Sequence, residues 1–294
     1  KGVMLSHRNL TFTADATQAM LPPSFEPVVL SYLPLSHIAE QMFTIHGPIS
    51  SGMRVYFSEG IQFLRENLKE VQPTIFFGVP RVWEKFYSAV HGKVSSAEGP
   101  KAKLVNWALD VGRRASQQRA YGGAPDDVEY KLAKKLIFDK IKPELGMANA
   151  RICVSGAAPI AKEVLEFFSG LDLPILEVYG QSEDCGPTSF NFPNDFRFGS
   201  VGRAVPGIDV KIAEDGEILV RGGGVMRGYH NLPEATAEML IGDGWLATGD
   251  IGEIDDDGLV RITDRKKDLI KTSGGKYIAP SLIESRFKAL CPLL

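Results

Sequence analysis

Cysteine is scarce in this chain. Three residues, Cys153, Cys185 and Cys291, stand in a sequence of 294. Odd in number and far apart, they argue against a disulfide framework or a thiolate metal site and fit a reducing compartment. Long apolar runs are missing too. No stretch approaches the ~20 consecutive apolar residues that cross a bilayer. Neither sign of charge prevails, since 33 Lys and Arg face 36 Asp and Glu for a net −3. Nucleic-acid binding therefore has no electrostatic support. Internal repeats and low-complexity segments are absent. No signal peptide is visible, but the chain opens at Lys1 and ends at Leu294 after a helix-like run, so both ends look cut. The expected setting is cytoplasmic, with contact at a membrane surface left open.

What is present is a pattern of buried strands and amphipathic helices. Hydrophobic residues make up 44% of the chain, enough for a large core, and a prior of about 150 residues per domain suggests roughly two domains. Residues 28–33 (VVLSYL), 54–57 (RVYF) and 74–77 (TIFF) read as strands. Residues 63–71 have helical spacing, with Leu64, Leu68 and Val71 on one face. Residues 91–145 read as two helices around Gly122-Gly123 and Pro125. In the second, Leu132, Leu136 and Ile137 share a face, with Lys131, Lys134, Lys135 and Lys140 nearby. That side is either a solvated surface or a contact for an anionic membrane. Residues 151–178 read as a βαβ unit, its helix carrying Val164, Leu165 and Phe168. Alternation of this kind predicts α/β layers. From Val201 the pattern changes to short strands with Asp215-Gly216 and Asp257-Gly258 between them, a hairpin signal. The fold class expected is thus an α/β body with a small β-rich unit attached.

Four stretches contain residues suited to chemistry. Ser155-Gly156-Ala157-Ala158-Pro159 follows a strand, where ligands of open α/β sheets bind; it also suits a plain tight turn. Tyr179-Gly180-Gln181-Ser182-Glu183 again comes just past a strand. There a hydroxyl and a carboxylate suit a phosphate and a magnesium ion, which needs few protein carboxylates; a polar loop is the alternative. In Trp245-Leu246-Ala247-Thr248-Gly249-Asp250 the Asp either accepts ribose hydroxyls or closes a turn. Residues 263–276 (TDRKKDLIKTSGGK) hold five cations and a Gly pair, either as an exposed linker or as a movable phosphate-binding segment.

Order and combination decide among these. Together the four resemble the adenylate-forming superfamily of acyl-CoA synthetases, firefly-type luciferases and peptide-synthetase adenylation domains. Lys1 to His7 (KGVMLSH) is similar to the tail of that family's phosphate-binding loop. Ser182 replaces the family's Thr in Tyr-Gly-x-Thr-Glu and keeps the hydroxyl. Residues 32–40 (YLPLSHIAE), 78–85 (GVPRVWEK) and 271–280 (KTSGGKYIAP) look most like long-chain acyl-CoA synthetases, including the bubblegum-type branch.

The resemblance implies ATP-dependent activation of a long-chain fatty acid to an acyl-adenylate, then transfer to coenzyme A. An acyl-AMP ligase, an aryl-CoA ligase and an inactive binding homologue are the alternatives. It implies magnesium at Glu183 and phosphate at Ser182. Gly156, Ala157 and Ala158 would line the adenine, with Tyr179 stacked on it and Gly180 and Gln181 in the same nucleotide site. Asp250 would bind the ribose, and Arg265 the ribose and phosphate. His37 would lie near the substrate carboxylate. Lys267 would be the hinge, Lys271 would act in thioester formation, and Gly274 and Gly275 would leave a passage for coenzyme A. The domains implied are 1–263, divided into an α/β body at 1–195 and a β-rich unit at 196–263, and then 264–294 as hinge and start of a truncated small domain. A chain without most of the phosphate loop and the rest of that domain is expected to be inactive by itself.

Overall fold

The computed structural model describes residues 1–21, 25–268, 270–271, 277–278 and 280. Its central sheet has five strands in the order Ile75–Gly78, Ile152–Ser155, Ile175–Gln181, Gly186–Phe190 and Arg203–Ala204. The first three are parallel and the last two antiparallel. The parallel part is the expected βαβ unit, with helix Lys162–Gly170 as its crossover. Its near-continuous apolar strands are what a sheet covered on both faces requires. A parallel pair, Val28–Ser31 with Arg54–Phe57, lies alongside. Thr74 ties it to the central sheet, its N–H donating to the Val28 carbonyl at 2.9 Å and its hydroxyl accepting from the Val28 N–H at 2.8 Å.

Helices cover the sheet. Pro80–Ser95 buries Trp83 completely, edge-on to Phe76, Phe86 and Phe168. Its indole N–H donates to the Val154 carbonyl at 3.1 Å, so the one polar atom of a large core ring is satisfied. Gly99–Ala120 packs on Lys162–Gly170, and their backbones meet at glycine: a Cβ on Gly112 would lie 2.1 Å from the Gly170 carbonyl oxygen. The next helix starts at Val128, capped by the Asp127 carboxylate accepting from the Tyr130 N–H at 2.8 Å. It passes through a π-helical turn at Lys134–Phe138 into Asp139–Glu144. The wider turn rotates the apolar face. Ala133 and Phe138 are buried while Leu132 is 47% exposed, which corrects the shared face expected for Leu132, Leu136 and Ile137. Lys131, Lys134, Lys135 and Lys140 are exposed.

The β-rich unit is a second five-stranded sheet. Its path is Leu240–Ile241, Trp245–Ile254, Glu217–Gly222 and Ile208–Ile212, with Val260–Arg265 also on Trp245–Ile254. Both Asp-Gly hairpins are present. The layered α/β body with an attached β unit is therefore as expected. Val260–Arg265 runs past residue 263, so the segment read as a hinge begins inside a strand. No helix among the described residues is long and apolar enough to cross a membrane.

Candidate active site

The Tyr179-Gly180-Gln181 stretch was expected just beyond a strand, but it lies within one. The strand Ile175–Gln181 is prolonged by an antiparallel partner, Gly186–Phe190, and Ser182–Asp184 makes a single 3-10 turn between them. Asp250 likewise sits within the strand Trp245–Ile254, just after Gly249, whose φ is +73°.

These two strands meet at the Asp250 carboxylate, which is 3% exposed. One oxygen accepts from the Tyr179 hydroxyl and the Gln181 amide, both at 2.7 Å. The other faces the Arg265 Nε at 3.2 Å. Arg265 reaches it because Asp250 and Arg265 are direct cross-strand partners. The Thr248 hydroxyl accepts from the Asp250 N–H at 3.1 Å and donates to the Ile218 carbonyl at 2.7 Å. Burial, then the adjoining carboxylate, pushes the Tyr179 phenol above its ordinary value and keeps it a donor. A buried carboxylate with a neutral donor, an amide and a guanidinium is a fixed anionic acceptor for hydroxyl groups.

Glu183 is half-buried. One of its carboxylate oxygens accepts from the Tyr229 hydroxyl at 2.8 Å. The Lys1 ammonium lies 4.5 Å from the centre of the same Tyr229 ring. The link is built by the strand pair Val3–Met4 with Gly228–Tyr229. Chain start and Glu183 are thus held together through Tyr229, a residue that sequence reasoning did not single out. No cluster of three His, Cys, Asp or Glu side chains suited to a metal occurs among the described residues. A single carboxylate fits magnesium, which keeps waters and phosphate oxygens as its other ligands.

Gly156 is buried, and Ala157 and Ala158 are exposed past the end of Ile152–Ser155. Ala157 has φ +70°, a backbone that favours glycine. Ala157 and Gly180 also line an apolar cavity of about 160 Å³ that includes Met42, Phe43, Met53, Phe77, Val178 and Phe190. It runs back beside Ile75 and Ile152, the first residues of their strands. His37 is on its wall, with its ring centre 6.3 Å from that of Phe77. Its Nδ1 accepts from the Ala39 N–H at 3.2 Å, which leaves Nε2 as the protonated nitrogen of the neutral ring.

Lys267 is exposed in the turn Lys266–Asp268. The backbone of Lys271 is in a short strand, Ile270–Lys271, paired with Tyr277–Ile278. Its side chain, and Gly274 and Gly275, lie outside the described residues.

Residues 1–230 match the model of the AMP-binding enzyme family. The chain belongs to that family. Among other AMP-binding proteins, it is 40% identical over 306 residues to a long-chain-fatty-acid–CoA ligase of Xenopus laevis, covering 100% of this chain and 41% of the relative. A long-chain-fatty-acid–CoA ligase of Homo sapiens is 37% identical over 303 residues, covering 100% and 46%. The chain therefore spans less than half the length of these relatives. Its fold matches that of O-succinylbenzoate coenzyme A synthetase from Bacillus subtilis, solved in complex with AMP, with TM-score 0.72 and 22% identity over 98% of this chain and 51% of that one.

Asp184 went unnoticed in the sequence. It is 1% exposed and accepts from the Gln181 N–H at 2.8 Å and from the Thr188 hydroxyl. Burial nevertheless pushes its carboxyl from the usual 3.8 up to about 7. The native state then holds a proton that the unfolded chain has released, so this group's contribution to stability falls as pH rises from 3.8 to about 7. Thermal unfolding between pH 5 and pH 8 checks this. Asp184→Asn is expected to flatten the fall, and equal slopes in both proteins would remove Asp184 as its source.

Proposed function

We propose that the full-length protein is an AMP-forming long-chain fatty acid–CoA ligase. The observation that carries the reading is the continuity between the Asp250 cluster and the apolar cavity. Tyr179 and Gln181 hold Asp250, and Gly180 between them lines the cavity. A polar nucleotide site beside an apolar pocket suits a reaction between ATP and a fatty acid. The names of the relatives support the same class.

In this reading Asp250 and Arg265 hold the ribose, Ser182 a phosphate oxygen, and Gly156, Ala157, Ala158 and Tyr179 the adenine. Glu183 would hold magnesium, which supplies charge stabilisation at the transferring phosphorus. His37 donates from Nε2 to the acid's carboxylate and orients it for attack on the α-phosphate, which breaks the bond to the β-phosphate, releases pyrophosphate and leaves an acyl-adenylate. Coenzyme A then displaces AMP, with Lys267 as the pivot, Lys271 acting in that second step, and Gly274 and Gly275 giving room for the thiol arm. Residues 264–294 would begin the small domain that turns.

Pyrophosphate exchange by the full-length protein, across acids of different length and with or without coenzyme A, tests the reading. Exchange with long-chain acids and thioester on adding coenzyme A are expected. Adenylate without thioester would make it an acyl-AMP ligase, preference for aryl acids an aryl-CoA ligase, and no exchange a binding homologue.

Asp250→Ala removes a charge-assisted acceptor, a contact class that contributes about 1.5–3 kcal/mol. AMP affinity is expected to fall about tenfold or more, with fatty acid binding retained. Equal AMP affinity by calorimetry in both proteins would rule out the ribose role.

A further inference from the structure

Within the stretch that holds His37 lies a second side chain with no place in the chemistry above. Glu40 is 4% exposed, in the short helix Ile38–Gln41. Its carboxylate accepts from three donors: the Ser31 hydroxyl, the Leu33 N–H at 3.1 Å, and the Thr44 hydroxyl at 2.5 Å. Burying a carboxylate is costly unless it is fully hydrogen-bonded, and a well-packed apolar residue usually serves stability as well or better. A buried acid here calls for another role, and its partners indicate one.

Ser31 ends the strand Val28–Ser31, and Leu33 is at the start of the loop 32–37 that follows. Thr44 lies one turn beyond Glu40, in the π-helical segment Met42–His46. The carboxylate therefore clips together the two ends of the loop, whose tip, Pro34 to Ser36, is exposed. Further contacts close the same loop from within: the His37 N–H donates to the Pro34 carbonyl at 2.9 Å, and the Gln41 amide to the Leu35 carbonyl at 2.7 Å. His37 is the last residue of the loop and the cap of the helix. Its ring accepts from the Ala39 N–H, which keeps the Nε2–H tautomer, and the position of loop against helix sets where that capped ring sits on the cavity wall.

We propose that Glu40 is a positioning residue: it fixes the His37 imidazole on the wall of the apolar cavity and so governs binding of the acyl carboxylate, without touching substrate. The inference rests on the role given to His37 under the proposed function. Disturbing Glu40 lets the ring wander, which weakens the hold on the acid but leaves the nucleotide site, built from other strands, unchanged.

The test is a double-substitution cycle in the full-length enzyme with a saturated sixteen-carbon acid, about the length class of the reading above. Glu40→Gln is expected to raise KM for the acid about fivefold to tenfold, with kcat within about twofold and KM for ATP unchanged. His37→Ala should raise the KM for the acid at least as much, again with KM for ATP unchanged. The double variant should be no worse than the worse single one, because both act through one contact. Independent, multiplying losses would overturn the proposal. So would a lowered Tm in Glu40→Gln with an unchanged KM for the acid, which marks a purely structural role. If His37→Ala leaves the KM for the acid unchanged, the reading of His37 itself fails and takes this inference with it. Should Glu40→Gln not fold, Thr44→Val and Ser31→Ala remove one donor each. They are expected to raise that KM about twofold to threefold, again without adding to His37→Ala; no rise, or a rise that adds, overturns the proposal.

Discussion

Glu183→Gln in the full-length protein is expected to lower magnesium-dependent adenylation on the order of a hundredfold, a barrier increase of about 2.7 kcal/mol. Glutamine has the same shape, and its amide oxygen can still accept from the Tyr229 hydroxyl that holds Glu183 at 2.8 Å. The side chain should keep its place, and the change removes only the negative charge. Magnesium selects charged oxygen ligands and is otherwise held by waters and phosphates, so loss of the carboxylate proposed to hold it is expected to raise the magnesium concentration needed for half-maximal rate. The Lys1 ammonium over the Tyr229 ring sharpens the contrast. With the carboxylate neutralised, the local balance becomes cationic, which still suits a triphosphate but not a metal. Pyrophosphate exchange against magnesium concentration is the measurement, with Tm as the check on folding. An unchanged magnesium dependence would take Glu183 out of the site.

The layered fold could be read from the sequence because its signals are local. Apolar strands such as residues 152–155, the helical spacing of Leu64 and Leu68, and Asp-Gly between β runs each depend on neighbours a few positions away. The individual site residues could be nominated only through the order of their motifs. What was not legible depends on pairing between distant strands. Gln181 was placed in the nucleotide site by resemblance, but nothing in the sequence indicated that its amide would donate to Asp250. That contact requires two sheets to meet. Tyr229 was missed because the strand bringing it to Glu183 is two residues long and pairs with the start of the chain. Glu40 and Asp184 left no clear signal, since most of their neighbours in the chain are exposed or half-buried. Sequence alone does not say whether such an acid faces solvent, and only the donors around each one show that it does not.

Gly180 shows how a glycine can be required by its own fold and not only by a ligand. In the sequence it reads as a site where a ligand approaches the backbone. In the structure the close approach is made by the protein itself: a Cβ at this position would lie 1.6 Å from the Gly186 carbonyl oxygen and 2.6 Å from its carbon. Gly186 is rigid backbone in the partner strand, paired with Gln181, so no side-chain rotation relieves the clash. Gly180→Ala is therefore expected to push the two strands apart and destabilise the domain by about 4 kcal/mol or more, a Tm loss of roughly 10 °C at this size. AMP affinity should fall with it, because the same strand holds Tyr179 and Gln181 on Asp250. Gly156→Ala provides the comparison. Its nearest neighbours are Val178 Cγ1 at 2.6 Å and the Val178 carbonyl oxygen at 3.0 Å, a far milder approach to backbone than at Gly180, so its stability cost should be smaller. Thermal unfolding of both variants, with AMP titrated by calorimetry, separates the explanations. A Gly180→Ala protein with native Tm and weakened AMP binding would return this glycine to the ligand and overturn the structural account of it.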